Sequence, residues 1–290
     1  MGRILITGAQ GQLGSALTKL LMNNKMHTVY YTSRTASEDG RIKILDITDK
    51  DKVNDIIHEI KPDIIINCAA MTAVDLCESD QEMAYQINAL GPKYLAMAAE
   101  KMGAKLIHIS TDYVFDGESS RPYIESDQPT PLSVYGKTKL AGEEFVQQYC
   151  SRYFILRTAW VYGEGKNFVK TMLRLADSGK AIRVVSDQFG TPTSALELAR
   201  AILFLINTES YGIYHATCEG TCSWYEFAKR IFKEAGKEIE VEPIPTWEYP
   251  TPAKRPKYSV LDNKALREKH GYYMKDWKEA FHEYMEDLLL

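Results

Sequence analysis

Short apolar runs and amphipathic stretches alternate along the first half of the chain. Arg3–Thr7 predicts a strand, followed by a glycine turn and a helix over Leu13–Asn23. His27–Thr32 and Arg41–Leu45 predict two further strands. Asp49–Ile60 carries apolar residues at helical spacing, with Pro62 behind it as a stop. Ile64–Asn67 and Lys105–Ile109 are near-continuous apolar runs, as in parallel strands covered on both faces. Between them Glu82–Met102 reads as helix, interrupted at Gly91-Pro92. Strand–helix alternation with short connections predicts an α/β fold built on a doubly wound parallel sheet of Rossmann type.

The pattern changes beyond about residue 160. Helical segments at Asn167–Ser178, Ser194–Asn207 and Trp224–Glu234 are separated by short strands and proline-rich turns. Pro243–Pro256 contains five prolines and predicts an extended or turn-rich loop. Loops of this length in compact domains are often functional. Trp277–Leu288 predicts an amphipathic closing helix. There is no internal repeat and no flexible linker. The expected division is a dinucleotide-binding domain over 1–163, to which the chain returns around 186–218, and a smaller, partly interleaved α/β substrate domain over 164–185 and 219–290.

Composition narrows the class without naming a function. The 290 residues are 45% hydrophobic and 11% aromatic, enough for a core and against disorder. A net charge of −4 gives no electrostatic reason to expect nucleic acid or an anionic membrane as partner. The longest apolar runs, Ile64–Met71 and Ala201–Ile206, are too short to span a bilayer, and no signal peptide is visible. Five scattered cysteines read most simply as reduced thiols in a cytoplasmic protein. Cys218 and Cys222 lack a second Cys or His pair, which argues against zinc. A homodimer remains open.

The first turn carries chemistry. In Thr7-Gly8-Ala9-Gln10-Gly11-Gln12-Leu13-Gly14, Gly8 permits a sharp exit from the strand, and Gly11 removes a Cβ where a pyrophosphate would approach the helix N-terminus. Gly14 allows the helix to pack closely on the sheet. An ordinary strand–helix turn would also tolerate these glycines; their place on the first strand favours the nucleotide reading. At the end of the second strand, where an acid would bind the ribose of NAD(H), stand Ser33 and Arg34, with no acid before Glu38 and Asp39. A hydroxyl and a guanidinium suit a 2′-phosphate, so NADP(H) is favoured and NAD(H) stays open. Asp46 is placed to meet the adenine or to cap the next helix.

Three Tyr-x-x-x-Lys pairs occur: Tyr135/Lys139, Tyr162/Lys166 and Tyr225/Lys229. Tyr162/Lys166 crosses two glycines, and Tyr225/Lys229 reads as a helix face. Tyr135/Lys139 opens a long helix and follows Ser110-Thr111-Asp112 at the carboxyl end of a strand, where ligands of open α/β sheets bind. Reducing a ketone requires hydride at carbon and a proton at oxygen. A tyrosine can supply the proton, and a lysine one turn away is expected to lower its pKa from about 10. Thr111 can hydrogen-bond the same oxygen.

These blocks resemble the extended short-chain dehydrogenase/reductases and, more narrowly, the dTDP-4-dehydrorhamnose reductase family, from Ile4 to about Trp277. Asn67–Asp75, Ser110–Phe115 and Tyr135–Glu143 are shared with sugar-nucleotide epimerases and dehydratases; Asp187–Thr193 and Ala253–Pro256 are more diagnostic. The resemblance implies Tyr135 as proton donor, Lys139 as its partner and a contact for the cofactor ribose, and Thr111 as ketone ligand, with Tyr135 and Lys139 both against the cofactor. It implies that Gly11, Gln12 and Leu13 hold the pyrophosphate, with Ala69, Ala70 and Met71 lining the cofactor. A sugar-nucleotide substrate would meet Asp112 and Trp160, and Asn167 and Arg255 are candidates for its diphosphate or nucleotide. Each has a plainer alternative: Asp112 as turn cap, Trp160 as core, Arg255 as surface ion-pair member. The chain departs from the family at Met71, where His or Tyr is frequent, and at Ala159, where Ser is. Members are often described with magnesium; the sequence shows no clear ligand cluster, so no protein-built metal site is expected. A related epimerase or dehydratase, or a regulatory subunit like that of methionine adenosyltransferase, is the alternative reading.

Overall fold

The computed structural model describes residues 2–22, 26–36, 40–177 and 181–289. Asn23, Glu38, Asp39 and Ser178 of the expected elements lie outside them. The central strands are β1 (Gly2–Thr7), β2 (His27–Ser33), β3 (Ile42–Ile44), β4 (Ile64–Asn67), β5 (Lys105–Thr111) and β6 (Tyr153–Thr158). With Gly212–His215 they form one parallel sheet, ordered Gly212–His215, β6, β5, β4, β1, β2, β3. Register pairs Ile4 with Ile64 and Thr7 with Asn67, so β1 and β4 end level. Strand order reverses between them, which opens a crevice beyond their carboxyl ends.

Alternate side chains explain why both faces are covered. Ile4, Ile6, Ile64, Ile66 and Ile107 pack with Leu13 and Leu17 of the Gln12–Leu21 helix and with Leu198 and Ile202 of the Ala195–Leu205 helix. Leu5, Ile65, Leu106 and Ile155 point the other way, onto Val53 and Ile57 of the Lys50–Ile60 helix and onto Leu95 and Val146. This period of two, buried on both sides, produces the continuous apolar runs.

The expected break at Gly91-Pro92 takes another form. Helix Gln81–Tyr85 passes into a π turn over Gln86–Leu90 and continues as Gly91–Met102. Pro92 has no N–H to donate, and the turn widens so that the Gly91 N–H reaches the Gln86 carbonyl. Beyond β6, helices Phe168–Ala176, Trp224–Glu234 and Trp277–Leu289 enclose a separate apolar cluster that includes Val169, Phe227, Ile231, Trp277 and Phe281. Strand Val241–Ile244 pairs with Ile182–Val185, so Pro243 stands in a strand and the irregular loop starts later than expected. No helix among the described residues is long and apolar enough to cross a membrane.

Candidate active site

The turn after β1 is built by glycine for two different reasons. Gly8 has φ +67°, and a Cβ there would lie 2.7 Å from the Ala69 nitrogen. At Gly14 a Cβ would meet the Gly8 carbonyl oxygen at 2.4 Å, so this glycine packs the helix on the turn itself rather than on the sheet. Gly11 is different: its backbone is extended, and the nearest atom to a Cβ is the Gly8 oxygen at 3.3 Å. Gly11 opens the Gln12–Leu21 helix without a side-chain cap and with no acid in the first turn. That leaves backbone donors and a positive dipole end facing the cleft.

Gly11, Gln12 and Leu13 line a cleft of ≈ 620 Å³ together with Ala69 and Ala70. A side cavity of ≈ 170 Å³ holds Gly8, Ser33, Arg34, Asp46, Ala69 and Ala70. The Ser33 hydroxyl donates to Gln10 at 2.8 Å, while Arg34 is exposed. Asp46 accepts from the Thr48 N–H and hydroxyl; the helix cap is Asp49, which accepts from the Lys52 N–H at 3.1 Å. The capping alternative for Asp46 is therefore corrected by three residues. Met71 differs from its neighbours: its backbone is clamped by Asn88, and its side chain packs beside Tyr135 and against the cluster under β1.

Tyr135 and Lys139 lie one turn apart on the buried face of the Val134–Tyr149 helix, whose N-cap is Ser133. Both line the same cleft as Thr111 and Asp112. A close approach fixes the helix there, since a Cβ on Gly136 would sit 2.1 Å from the Tyr113 carbonyl oxygen. Lys139 Nζ donates to the Ile109 carbonyl at 2.5 Å. Burial holds the Lys139 ammonium down, to a pKa of about 8, against the pull of Glu143. The expectation that Lys139 lowers the tyrosine pKa is not met in this state. Burial pushes the Tyr135 phenol above its usual value, opposed by the Thr111 hydroxyl. Desolvation of the phenolate dominates, and the Lys139 ammonium is engaged with the Ile109 carbonyl.

Thr111 donates to Asp112 Oδ1 at 2.9 Å, and burial pushes the Asp112 carboxyl up to about 6. The Ser259 hydroxyl favours its carboxylate from nearby, but Asp112 Oδ2 has no hydrogen bond of good geometry. Arg255 reaches the cleft from the proline-rich loop. It donates to Asp75 at 2.8 Å and to the Tyr113 hydroxyl at 3.3 Å. Trp160 lines the cleft in a left-handed conformation, φ 47°, with its ring stacked on Trp224 at 3.5 Å. Gly190 makes room for that ring, since a Cβ would fall 2.5 Å from it.

Asn167 is the clear departure from expectation. Its side chain caps the Phe168–Ala176 helix, accepting from the Lys170 N–H at 3.0 Å and donating to the Gly163 carbonyl at 2.6 Å. It is spent on local structure, while Glu164, Gly165 and Lys166 line the cleft in its place. Among the other Tyr-x-x-x-Lys pairs, Tyr225 and Lys229 share a helix face, the ammonium 5.4 Å from the ring centroid. Among the described residues no three His, Cys, Asp or Glu side chains gather as metal ligands.

Sequence reasoning missed four contributors. Gln10 ties the turn to the segment after β2 by accepting from Ser33 and Thr35. Asn67 accepts from Thr7 and the Ala69 N–H and donates to His108, a buried polar chain under the cleft. Its polar amide at the end of an apolar run was a visible signal. Asn88 and Trp224 had none, because their partners lie 17 and 64 positions away in sequence.

A doubly wound sheet with a glycine turn after its first strand is a dinucleotide-binding architecture, and here the Tyr135/Lys139 helix stands beside the strand carrying Thr111. The family model described as RmlD substrate binding domain matches residues 2–290. A dTDP-4-dehydrorhamnose reductase of Aggregatibacter actinomycetemcomitans is 44% identical, with 97% of each chain covered. The crystal structure of a dTDP-4-dehydrorhamnose reductase from Clostridium acetobutylicum superposes with a TM-score of 0.94 at 50% identity, covering 99% of this chain and 100% of that one. A second, from Bacillus anthracis in complex with NADP, also gives 0.94, at 43% identity over 99% of both chains. The chain belongs to the dTDP-4-dehydrorhamnose reductase family and is an oxidoreductase.

Proposed function

We propose that this protein reduces the C4 ketone of dTDP-4-dehydro-L-rhamnose with NADPH, giving dTDP-L-rhamnose. The observation that carries this reading is the convergence of Tyr135, Lys139 and Thr111 on one cleft with the uncapped helix at Gly11. The Bacillus anthracis relative was solved with NADP, and the residues here suit that cofactor. Gly11 leaves open space above free backbone donors for a pyrophosphate, and exposed Arg34 at the side cavity can meet a 2′-phosphate. When bound, the cofactor supplies hydride to the carbonyl carbon.

The chain's own residues handle the oxygen. The raised Tyr135 pKa keeps the phenol protonated at neutral pH, ready to give its proton to a far more basic developing alkoxide. Thr111 orients the carbonyl, and Lys139 provides a positive charge beneath the phenol and a contact for the cofactor ribose. Trp160, Asp112 and Arg255 would hold the sugar nucleotide. The apolar cluster drawn mostly from 164–185 and 219–290 supports assigning those stretches to a substrate domain and 1–163 with 186–218 to the dinucleotide domain, with Tyr162 and Cys218 joining that cluster and Leu266 and Met274 packing in the core of the sheet. Five unpaired thiols, four of them buried, support a reducing, cytoplasmic setting.

The test is a steady-state assay with dTDP-4-dehydro-L-rhamnose and NADPH followed at 340 nm. Stoichiometric loss of absorbance with formation of dTDP-L-rhamnose is expected. Turnover of a sugar nucleotide without net NADPH loss would instead indicate an epimerase or dehydratase, and no turnover would refute the assignment.

A further inference from the structure

Tyr135, Lys139 and Glu143 follow one another at successive turns of the Val134–Tyr149 helix, all on its buried face. Glu143 is fully buried and fixed by Arg157 of β6. Arg157 Nε donates to Oε1 at 3.0 Å and to Oε2 at 3.2 Å, and Nη2 donates to Oε2 at 2.7 Å. The guanidinium lies 5.1 Å from the Phe115 ring centroid and bears electrostatically on His215. The pair is thus a fixed dipole whose guanidinium end lies at Phe115 and His215 and whose carboxylate, one helical turn from Lys139, bears on it electrostatically. Stability alone does not account for it, because well-packed apolar residues often replace buried ion pairs without loss.

We propose that Glu143, locked in place by Arg157, is a positioning residue for the reaction: its standing negative charge keeps the buried Lys139 in the ammonium form beneath Tyr135. The surroundings of Lys139 leave this task to Glu143. From β5 come the Ile109 carbonyl and the His108 imidazole, which burial holds neutral. From the segment after β4 comes the Cys68 thiol, pushed up to about 12 by burial and therefore uncharged at neutral pH. On its own helix stand the protonated Tyr135 phenol and Glu143. Glu143 is the one standing counter-charge acting on Lys139 among the described residues. Burial lowers the Lys139 ammonium to a pKa of about 8, and Glu143 opposes that fall.

The inference rests on the proposed role of Lys139, so the experiment reads its charge directly. Full-length protein labelled with ¹⁵N-lysine is titrated without cofactor, following the Lys139 Nζ resonance. Wild type is compared with Glu143→Leu/Arg157→Met, which removes both charges, and with Glu143→Gln/Arg157→Gln as a second fold-preserving pair. Lys139 is expected to titrate about one pH unit or more lower in the double variants. The basic limb of kcat/KM against pH should move down by the same amount. Glu143→Asp, which keeps the charge, should restore most of the wild-type titration. An unchanged Lys139 titration in a folded double variant overturns the proposal, as does a loss of kcat/KM uniform across pH with the limb in place and the titration unmoved. A shifted titration with an unmoved limb upholds the coupling and refutes the catalytic part of Lys139, so the two failures are distinguishable.

Discussion

Gly11→Ala separates a glycine kept for the ligand from one kept for the fold. The backbone at Gly11 has φ −79° and ψ 170°, which alanine adopts freely, and a Cβ would meet one protein atom within 4 Å, the Gly8 oxygen at 3.3 Å. A Gly→Ala change at a compatible position stabilises by roughly 0.4–1 kcal/mol through the unfolded chain, about enough to offset that one tight contact. The apo protein should therefore melt within a few degrees of wild type. The new methyl would stand where a pyrophosphate must approach the backbone. Overpacking of roughly 1–3 kcal/mol corresponds to a rise of about 5- to 150-fold in the Kd for NADPH. Gly8→Ala should behave in the opposite way. Its φ of +67° costs an L-residue about 1–2 kcal/mol, and the Cβ would collide with Ala69 and Cys68 backbone that no side-chain rotation can clear. Its melting temperature should fall by about 5 °C or more even without ligand. Calorimetry of the apo proteins and fluorescence titration with NADPH read both quantities. If Gly11→Ala binds NADPH within twofold of wild type, or unfolds as early as Gly8→Ala, the assignment of Gly11 to the ligand is wrong.

Tyr135→Phe removes the proposed proton donor from a packed site without opening a cavity; turnover should drop by about 10²- to 10⁴-fold while NADPH still binds, and near-normal turnover at 340 nm would remove Tyr135 from its role. Asn167→Ala should cost about 1 kcal/mol through the lost helix cap and leave the substrate KM unchanged; a raised KM in steady-state assays would return Asn167 to the substrate site. Asp112 gives a pH signature. Its folded pKa of about 6 lies above the unfolded value, so its contribution is complete below about pH 4 and is lost as pH rises through 6, by about 3 kcal/mol in full. Urea unfolding should show Asp112→Asn gaining about half of this on wild type between pH 5 and pH 7.5. A difference independent of pH would mean that Asp112 is not held protonated by burial.

The doubly wound sheet was legible from the chain because burial on both faces leaves a local trace. Ile64–Ile66 cannot alternate with polar residues when both faces carry helices. The glycine turn and the Tyr135/Lys139 pair were legible for a similar reason: turn geometry and helical spacing act over a few residues, so the residue types at fixed offsets record them. Pairing across the fold leaves no such record. Only the folded chain stacks Trp160 on Trp224, closes Asn88 over Met71 and brings Arg255 to Asp75. Only the fold spends Asn167 on a helix cap rather than on the cleft. It also decides protonation. From sequence, a lysine one turn from a tyrosine lowers the tyrosine pKa, but desolvation depends on every atom around the pair, and here it raises the phenol and lowers the ammonium. The sequence by itself determined which groups share a helix face; the tertiary structure determined how dry that face is, and therefore which of those groups carries a charge.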